Sequence, residues 1–340
     1  MISFTHYIKY TAACLLIMAL GACTSEDMPL SYDERTATLS LIPQLQVETR
    51  AVGTSEEDAI HTLRVIITDT KHETYINKSF TDEQVASGDI IIENVPVGTV
   101  EMYVIANEGA LNKDYSDFNV WKNDMVDVGN EYKKLLIKDE NRQYFPMRGI
   151  PEFANSQSGL PMSWSSHSLV VNPSANGTPQ EVTVNLQRAV AKLNITMNNA
   201  LTTPITISSM SFGAFFGDQL YLFQETSLDV PTDANYAVQT YDNLAIEIPG
   251  GEYKTLALYV YPSFAWKDGT QTSPYTLGFK TKAGVTYREQ AFVNNYGALN
   301  HITRNTQVNI HATLSKAANV SIDFKVVPWT NNVVDVPSFE

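Results

Sequence analysis

An alternation of apolar and polar residues with period two, running from Ala37 to the far end, limits this chain's fold more than any other feature. Leu39, Leu41, Leu45 and Val47 stand against Thr38, Ser40, Gln44, Gln46 and Glu48. Successive side chains of a strand point to opposite faces, so this pattern buries one face and wets the other. It returns in Leu63, Val65 and Ile67, in Val100, Met102, Val104 and Ala106, and in Val182, Val184 and Leu186. It continues through Ala189, Ala191, Leu193, Ile195 and Met197, then Leu256, Leu258 and Val260, then Val308, Ile310, Ala312 and Leu314. Val320, Ile322, Phe324 and Val326 form the last run. Many short strands split by Gly, Pro and Asn turns predict a mainly β protein. Its 340 residues suffice for two antiparallel β-sandwich domains, transthyretin-like or Greek-key in connection, by a soft prior of roughly 150 residues per domain. Helical spacing is confined to Leu111–Lys138, interrupted by Gly129, which predicts one or two short helices. Between Asn141 and Gln180 fall Pro146, Pro151, Pro161, Pro173 and Pro179. That stretch reads as loop or linker with edge strands at best, and the domain division is set at its end, giving 51–185 and 186–340.

The first residues carry an address. After Lys9 the apolar run Thr11–Leu20 is too short to span a bilayer and reads as the core of a signal peptide covering residues 1–22. Leu20-Gly21-Ala22-Cys23 looks like a bacterial lipobox, in which the Cys23 sulfur is acylated and Cys23 becomes the new N-terminus. An ordinary secretory signal with an incidental Cys23 is the competing reading. Several acyl chains on one residue anchor a protein stably, where one alone binds reversibly. Cys14 leaves with the signal, and no cysteine follows Cys23, which excludes a disulfide framework and a thiolate metal site. Thr24-Ser25-Glu26-Asp27 resembles the acidic export signal of Bacteroidetes surface lipoproteins.

Chemistry is hard to find in the rest. The net charge of −14, with no basic stripe, argues against nucleic acid as a partner. The six histidines form no HExxH, and there is no phosphate-binding loop, nucleophile elbow or EF-hand loop. Nothing calls for a metal or cofactor, and no residue is nominated as catalytic. Gly213 and Gly217 read as a turn or close backbone approach. Trp121, Trp164, Trp266 and Trp329 read as core residues more readily than as a sugar platform.

Two features stand out near the ends. Thr49-Arg50-Ala51 follows directly on the alternating run, and the acidic Glu56-Glu57-Asp58 comes next. Polar segments between strands are where proteases cut, so the Arg50–Ala51 bond is a candidate site for a trypsin-like protease. At the other end, the run 320–326 is followed by Pro328-Trp329 and an apolar tail with Val334 and Val336. Chain ends are usually polar and frayed; this one must bury, either in its own domain or elsewhere.

Four stretches resemble the fimbrial subunits of Bacteroidia, the FimA-type or type V pilins. Val95–Glu108 is similar to that family's strand ending in Ala-Asn, here Ala106-Asn107. Leu186-Gln187-Arg188-Ala189-Val190-Ala191-Lys192 is similar to its LxRxxAK stretch, Ile302-Thr303-Arg304-Asn305-Thr306 to its IxRNT stretch, and Val327-Pro328-Trp329 to the tryptophan motif of its last strand. The resemblance implies a cell-surface fimbrium, export as an outer-membrane lipoprotein precursor, cleavage after an arginine and polymerisation by strand exchange with other fimbrial subunits. Carried over, lipid falls on Cys23 and cleavage between Arg50 and Ala51, so that 23–50 is a propeptide whose strand 38–48 is released. The donor is Val320, Ile322, Phe324 and Val326, or the tail from Trp329 through Val334 and Val336. Each set of four apolar side chains is worth on the order of 6–12 kcal/mol at about 1.5–3 each, so the two occupants are nearly matched and the irreversible cut drives assembly. Within the family, an anchor subunit would keep its lipid and stay uncut, and a tip adhesin would need no donor. A surface glycan-binding or hydrolytic lipoprotein is the alternative from another class.

Overall fold

The computed structural model describes residues 36–45, 56–69, 74–128, 132–142, 145, 159–173, 177–223, 229–266, 272–315 and 319–329. Strands dominate, in two sandwiches with a smaller sheet between them. The first half contributes β1 (Thr36–Leu45), β2 (Leu63–Thr68), β3 (Thr74–Phe80), β4 (Ile91–Pro96), β5 (Gly98–Ala106), β6 (Met125–Val128), β7 (Tyr132–Lys138), β8 (Met162–Val171) and β9 (Gln180–Arg188). Seven of these run in the order β3-β2-β5-β8-β9-β1-β4. Only Met162–Arg188 and Ser163–Gln187 join β8 to β9. The sheet turns on that short contact, so that Val65, Ile67, Met102 and Val104 of one layer share a core with Leu39, Leu41, Val184 and Leu186 of the other.

The second half contributes β10 (Ala191–Asn199), β11 (Ile205–Gly217), β12 (Gln219–Tyr221), β13 (Tyr236–Ile248), β14 (Tyr253–Val260), β15 (Thr276–Thr281), β16 (Thr286–Ala291), β17 (Val293–Asn294), β18 (Gly297–Ala298), β19 (Thr306–Leu314) and β20 (Val320–Pro328). Sheets β14-β10-β19-β20 and β13-β11-β15-β16 enclose a core that includes Leu193, Ile195, Phe212, Phe279 and Ile310. The named pairings are antiparallel except β1 with β9 and β10 with β19. Both exceptions place an early strand of a sandwich beside a late one.

Between the sandwiches, β12 of the second half pairs with β7 of the first, which also pairs with β6. This sheet covers a third apolar cluster containing Tyr103, Trp121, Leu135, Leu222, Tyr259 and Trp329. It explains why all six residues of β2 are buried: one face serves the sandwich core, while Ile66 on the other belongs to the junction.

Four local results differ from or refine the sequence reading. The proline-rich stretch yields an interior strand, since β8 lies between β5 and β9. Pro161 and Pro173 flank it, and no proline removes a donor from its interior. The helical spacing at 111–138 resolves into one helix, α2 (Phe118–Asp124), which Asp117 caps by accepting from Asn119 N at 2.8 Å, followed by the β6–β7 hairpin. A further helix, α1 (Asp82–Ser87), ends at Gly88 with φ of 77°, the left-handed conformation that favours glycine. Gly213 is a close approach: a Cβ there would lie 2.0 Å from the Pro274 carbonyl oxygen.

Candidate assembly site

β1 is held on both sides. It pairs antiparallel with β4 through Thr36–Pro96, Ala37–Val95, Leu39–Ile92 and Ser40–Ile91. It pairs parallel with β9 over seven positions, from Leu39–Gln180 to Leu45–Leu186. Ala37, Leu39 and Leu41 are buried in the first core, and Leu45 packs against it half-buried. Ile42 points out, at 37% exposure. Taking β1 away would open a slot with an apolar floor and unpaired backbone on β4 and β9, a form of edge that captures strands. Val47, Cys23, Arg50 and Ala51 lie outside the described residues, as do Val334 and Val336.

β20 sits in its own second sandwich. It pairs with β19 over nine positions, Val320–Leu314 to Pro328–Thr306. Phe324 is buried and Val320 and Ile322 pack half-buried on the core, whereas Val326 is 45% exposed. Within its own sandwich β20 thus buries its apolar side chains less uniformly than β1 buries Ala37, Leu39 and Leu41. Trp329 follows at 2% exposure.

Trp329 belongs to a polar and aromatic latch at the junction, where the four family-like stretches converge although they are far apart in sequence. The latch is centred on the 3-10 turn Glu56–Asp58. Glu57 accepts hydrogen bonds from Lys192 Nζ at 2.6 Å and Tyr259 OH at 2.5 Å on Oε1, and from Trp329 Nε1 at 3.1 Å on Oε2. Tyr259 and Trp329 stack with centroids 5.6 Å apart and planes 8° from parallel. The Arg188 guanidinium lies 4.5 Å from the Trp329 ring centroid and forms an ion pair with Asp58. It also donates to Asn305 Oδ1 at 3.1 Å. Stacking on an indole face while its edge donates to a carboxylate and to neighbouring oxygens is what a planar guanidinium does well.

Two asparagines complete the latch, both with left-handed backbone (Asn107 φ 57°, Asn305 φ 53°). Asn107 accepts from His61 N at 2.9 Å and donates to Ala59 O and Leu160 O at 2.9 and 2.8 Å, pinning the segment that follows Asp58. Asn305 donates its backbone N–H to Val190 O and accepts from Trp329 N, at 2.9 and 3.2 Å. Arg304, buried beside it, donates to Arg188 O, Leu222 O, Gln187 O and Ser163 Oγ at 2.7–3.0 Å. One side chain thus ties β8, β9 and the chain after β12.

Electrostatics follow from burial and these partners. Burial pushes the Glu57 carboxyl up, but the hydrogen bonds from Lys192, Tyr259 and Trp329 and the Lys192 charge outweigh it and hold it below its usual value. Burial pulls Arg188 down against the opposing pull of Asp58 and Glu57. Burial also lowers Arg304 to about 9, countered by Asp229, so it stays a cation at neutral pH. Among the described residues no cluster of His, Cys, Asp and Glu has the form of a metal site. No helix among them is long and apolar enough to cross a membrane.

The family model of fimbrillin-A associated anchor proteins Mfa1 and Mfa2 matches residues 35–335, a span holding β1, both sandwiches and the latch. The chain belongs to this family. It is a fimbrial subunit, a component of cell-surface fimbriae. No curated relative matches it. Among solved structures, the tip fimbrial protein Mfa3 of Porphyromonas gingivalis, with a C-terminal truncation, is 14% identical, covers 86% of this chain and 98% of its own, and superposes with a TM-score of 0.52. The two share the fold. The fimbrial anchor protein Mfa2 of Porphyromonas gingivalis is 12% identical over 87% and 98% of the two chains, TM-score 0.45. A fimbrial assembly protein of Parabacteroides distasonis is 16% identical over 86% and 96%, TM-score 0.48.

Proposed function

We propose that this fimbrial subunit is exported as a lipoprotein precursor on Cys23, is cut between Arg50 and Ala51 by a trypsin-like protease, and loses β1 so that a strand from another fimbrial subunit fills the slot. It catalyses no reaction. The observation that carries this reading is the position of β1: it lies inside its sheet, between β4 and β9, yet it is contributed by the segment that precedes the candidate cut. Leu45 pairs with Leu186, two residues before Arg188, so the slot opens beside the latch. The donor on this reading starts after Trp329 and includes Val334 and Val336. β20 itself is paired along its length and would have to leave β19 first. Contact from subunit to subunit is then head-to-tail and does not close, which is the condition for a filament.

The anchor role is the second reading, favoured by the family description itself. On it, Cys23 stays acylated, Arg50 stays uncut and β1 keeps its place. Arg50→Ala separates the two. On the first reading the variant accumulates as unprocessed monomer and filaments are lost; wild-type filament yield from that variant would overturn the first reading.

A further inference from the structure

The tryptophans are not a ligand platform: Trp121 and Trp329 are buried, and Trp164 and Trp266 pack half-buried on the cores. A different aromatic residue is displayed. Tyr296, at the tip of the β17–β18 hairpin, is 99% exposed. Its base is rigid: Asn294 Oδ1 accepts from Tyr296 N at 2.9 Å, and Asn294 Nδ2 donates to Phe324 O of β20 at 3.3 Å. Beside the tip, the 299–303 loop and β20 bound a hollow of about 280 Å³. Asn300, His301, Thr303 and the exposed Val326 line it together with Asn294 and Tyr296.

In a chain of net charge −14, none of the ten lining residues is Asp, Glu, Lys or Arg. The hollow therefore offers a charged ligand no counter-ion. What it offers is an aromatic face, amides, an imidazole and a hydroxyl. His301 Nδ1 lies 2.6 Å from Asn300 Oδ1, a contact that occupies the Asn300 oxygen and leaves its amide N–H groups without a part in that pair. A pyranose has apolar C–H faces that suit a ring and equatorial hydroxyls that suit amides. The volume is just below the roughly 300–1,000 Å³ of small-molecule pockets, room for about one or two sugar rings.

We propose that this hollow binds a neutral saccharide, stacked on Tyr296 and hydrogen-bonded by Asn300, His301 and Thr303. This does not depend on cleavage or strand exchange.

Because Tyr296 is wholly exposed, replacing it leaves the fold intact and the test clean. Saturation-transfer NMR and calorimetry on the full-length chain with cellobiose, maltotriose and N-acetyllactosamine should show binding of at least one. Tyr296→Ala should weaken it at least tenfold at an unchanged melting temperature, and Tyr296→Trp should restore it. A sialylated trisaccharide should bind no better than its neutral parent. Absence of binding by all three neutral sugars, equal binding by Tyr296→Ala, or preference for the sialylated sugar would each overturn the proposal. So would a fall in filament yield in Tyr296→Ala without any saccharide binding, which would assign the hollow to a contact between subunits.

Discussion

If β1 is present in the precursor and absent from the fimbria, a cavity mutation in β1 should weaken only the precursor. Leu39 is the residue to use: it is fully buried, with neighbours from both layers of the first sandwich. Leu→Ala at such a site costs about 2–5 kcal/mol, depending on how far the cavity collapses. For a unit of this size each kcal/mol lowers the melting temperature by about 2–4 °C, so the expected fall is on the order of 5–15 °C. Ile42→Ala, on the same strand but 37% exposed, is the control and should move melting by only a degree or two. The assay is calorimetry of the uncut precursor, carried on an Arg50→Ala background, beside thermal dissociation of fimbriae from cells bearing Leu39→Ala with Arg50 intact. The precursor should melt early and the fimbriae should match wild type. Equal destabilisation of both forms would mean that β1 stays in the assembled subunit, and an unaffected precursor would refute the role of Leu39 in the core.

The latch gives a pH signature. Glu57 is held below its ordinary pKa of 4.5, so its stabilising contribution is complete above that value and drains away as pH falls through the folded-state value; urea midpoints of the uncut precursor from pH 3 to 7 should decline in acid for wild type. Glu57→Gln should lower stability by about 1–3 kcal/mol at pH 7 and flatten that decline, and an unchanged slope would count against Glu57 as the titrating group. Gly213→Ala should cost several kcal/mol in melting experiments, because the added Cβ meets Pro274 backbone; wild-type melting would show the approach to be looser. Deleting residues 330–340 should leave a folded monomer with the Trp329 latch intact but abolish elongation. Normal filaments from that deletion would confine the donor to β20.

Much of the architecture was legible because alternation reports a half-buried strand directly. β1, β5, β9, β10, β14, β19 and β20 all follow from it. β8 is obscured because a proline's effect depends on whether it falls inside a strand or flanks it, which proline density over a stretch does not encode. α1 carried its own signals, Thr81 with Gln84 Oε1 accepting from Thr81 N at 3.0 Å and Gly88 after the last turn, but six residues are too few for periodicity to register. The latch was half-legible. Arg188, Lys192, Arg304, Asn305 and Trp329 lay in the stretches that resemble the fimbrial family, yet nothing in one sequence says that stretches over a hundred residues apart meet. Glu57 was visible only as one of three acids, and its burial comes from tertiary contacts that spacing does not encode. Tyr296 had no signal at all, since an exposed aromatic differs from a buried one only in its surroundings.

The central claim is that β1 is lost on assembly. Mass spectrometry of the N-terminus of the subunit in purified, high-mass fimbriae tests it most directly. The account predicts a chain beginning at Ala51 with no acyl group; an acylated Cys23 on every fimbrial molecule would contradict it and leave the anchor reading in place.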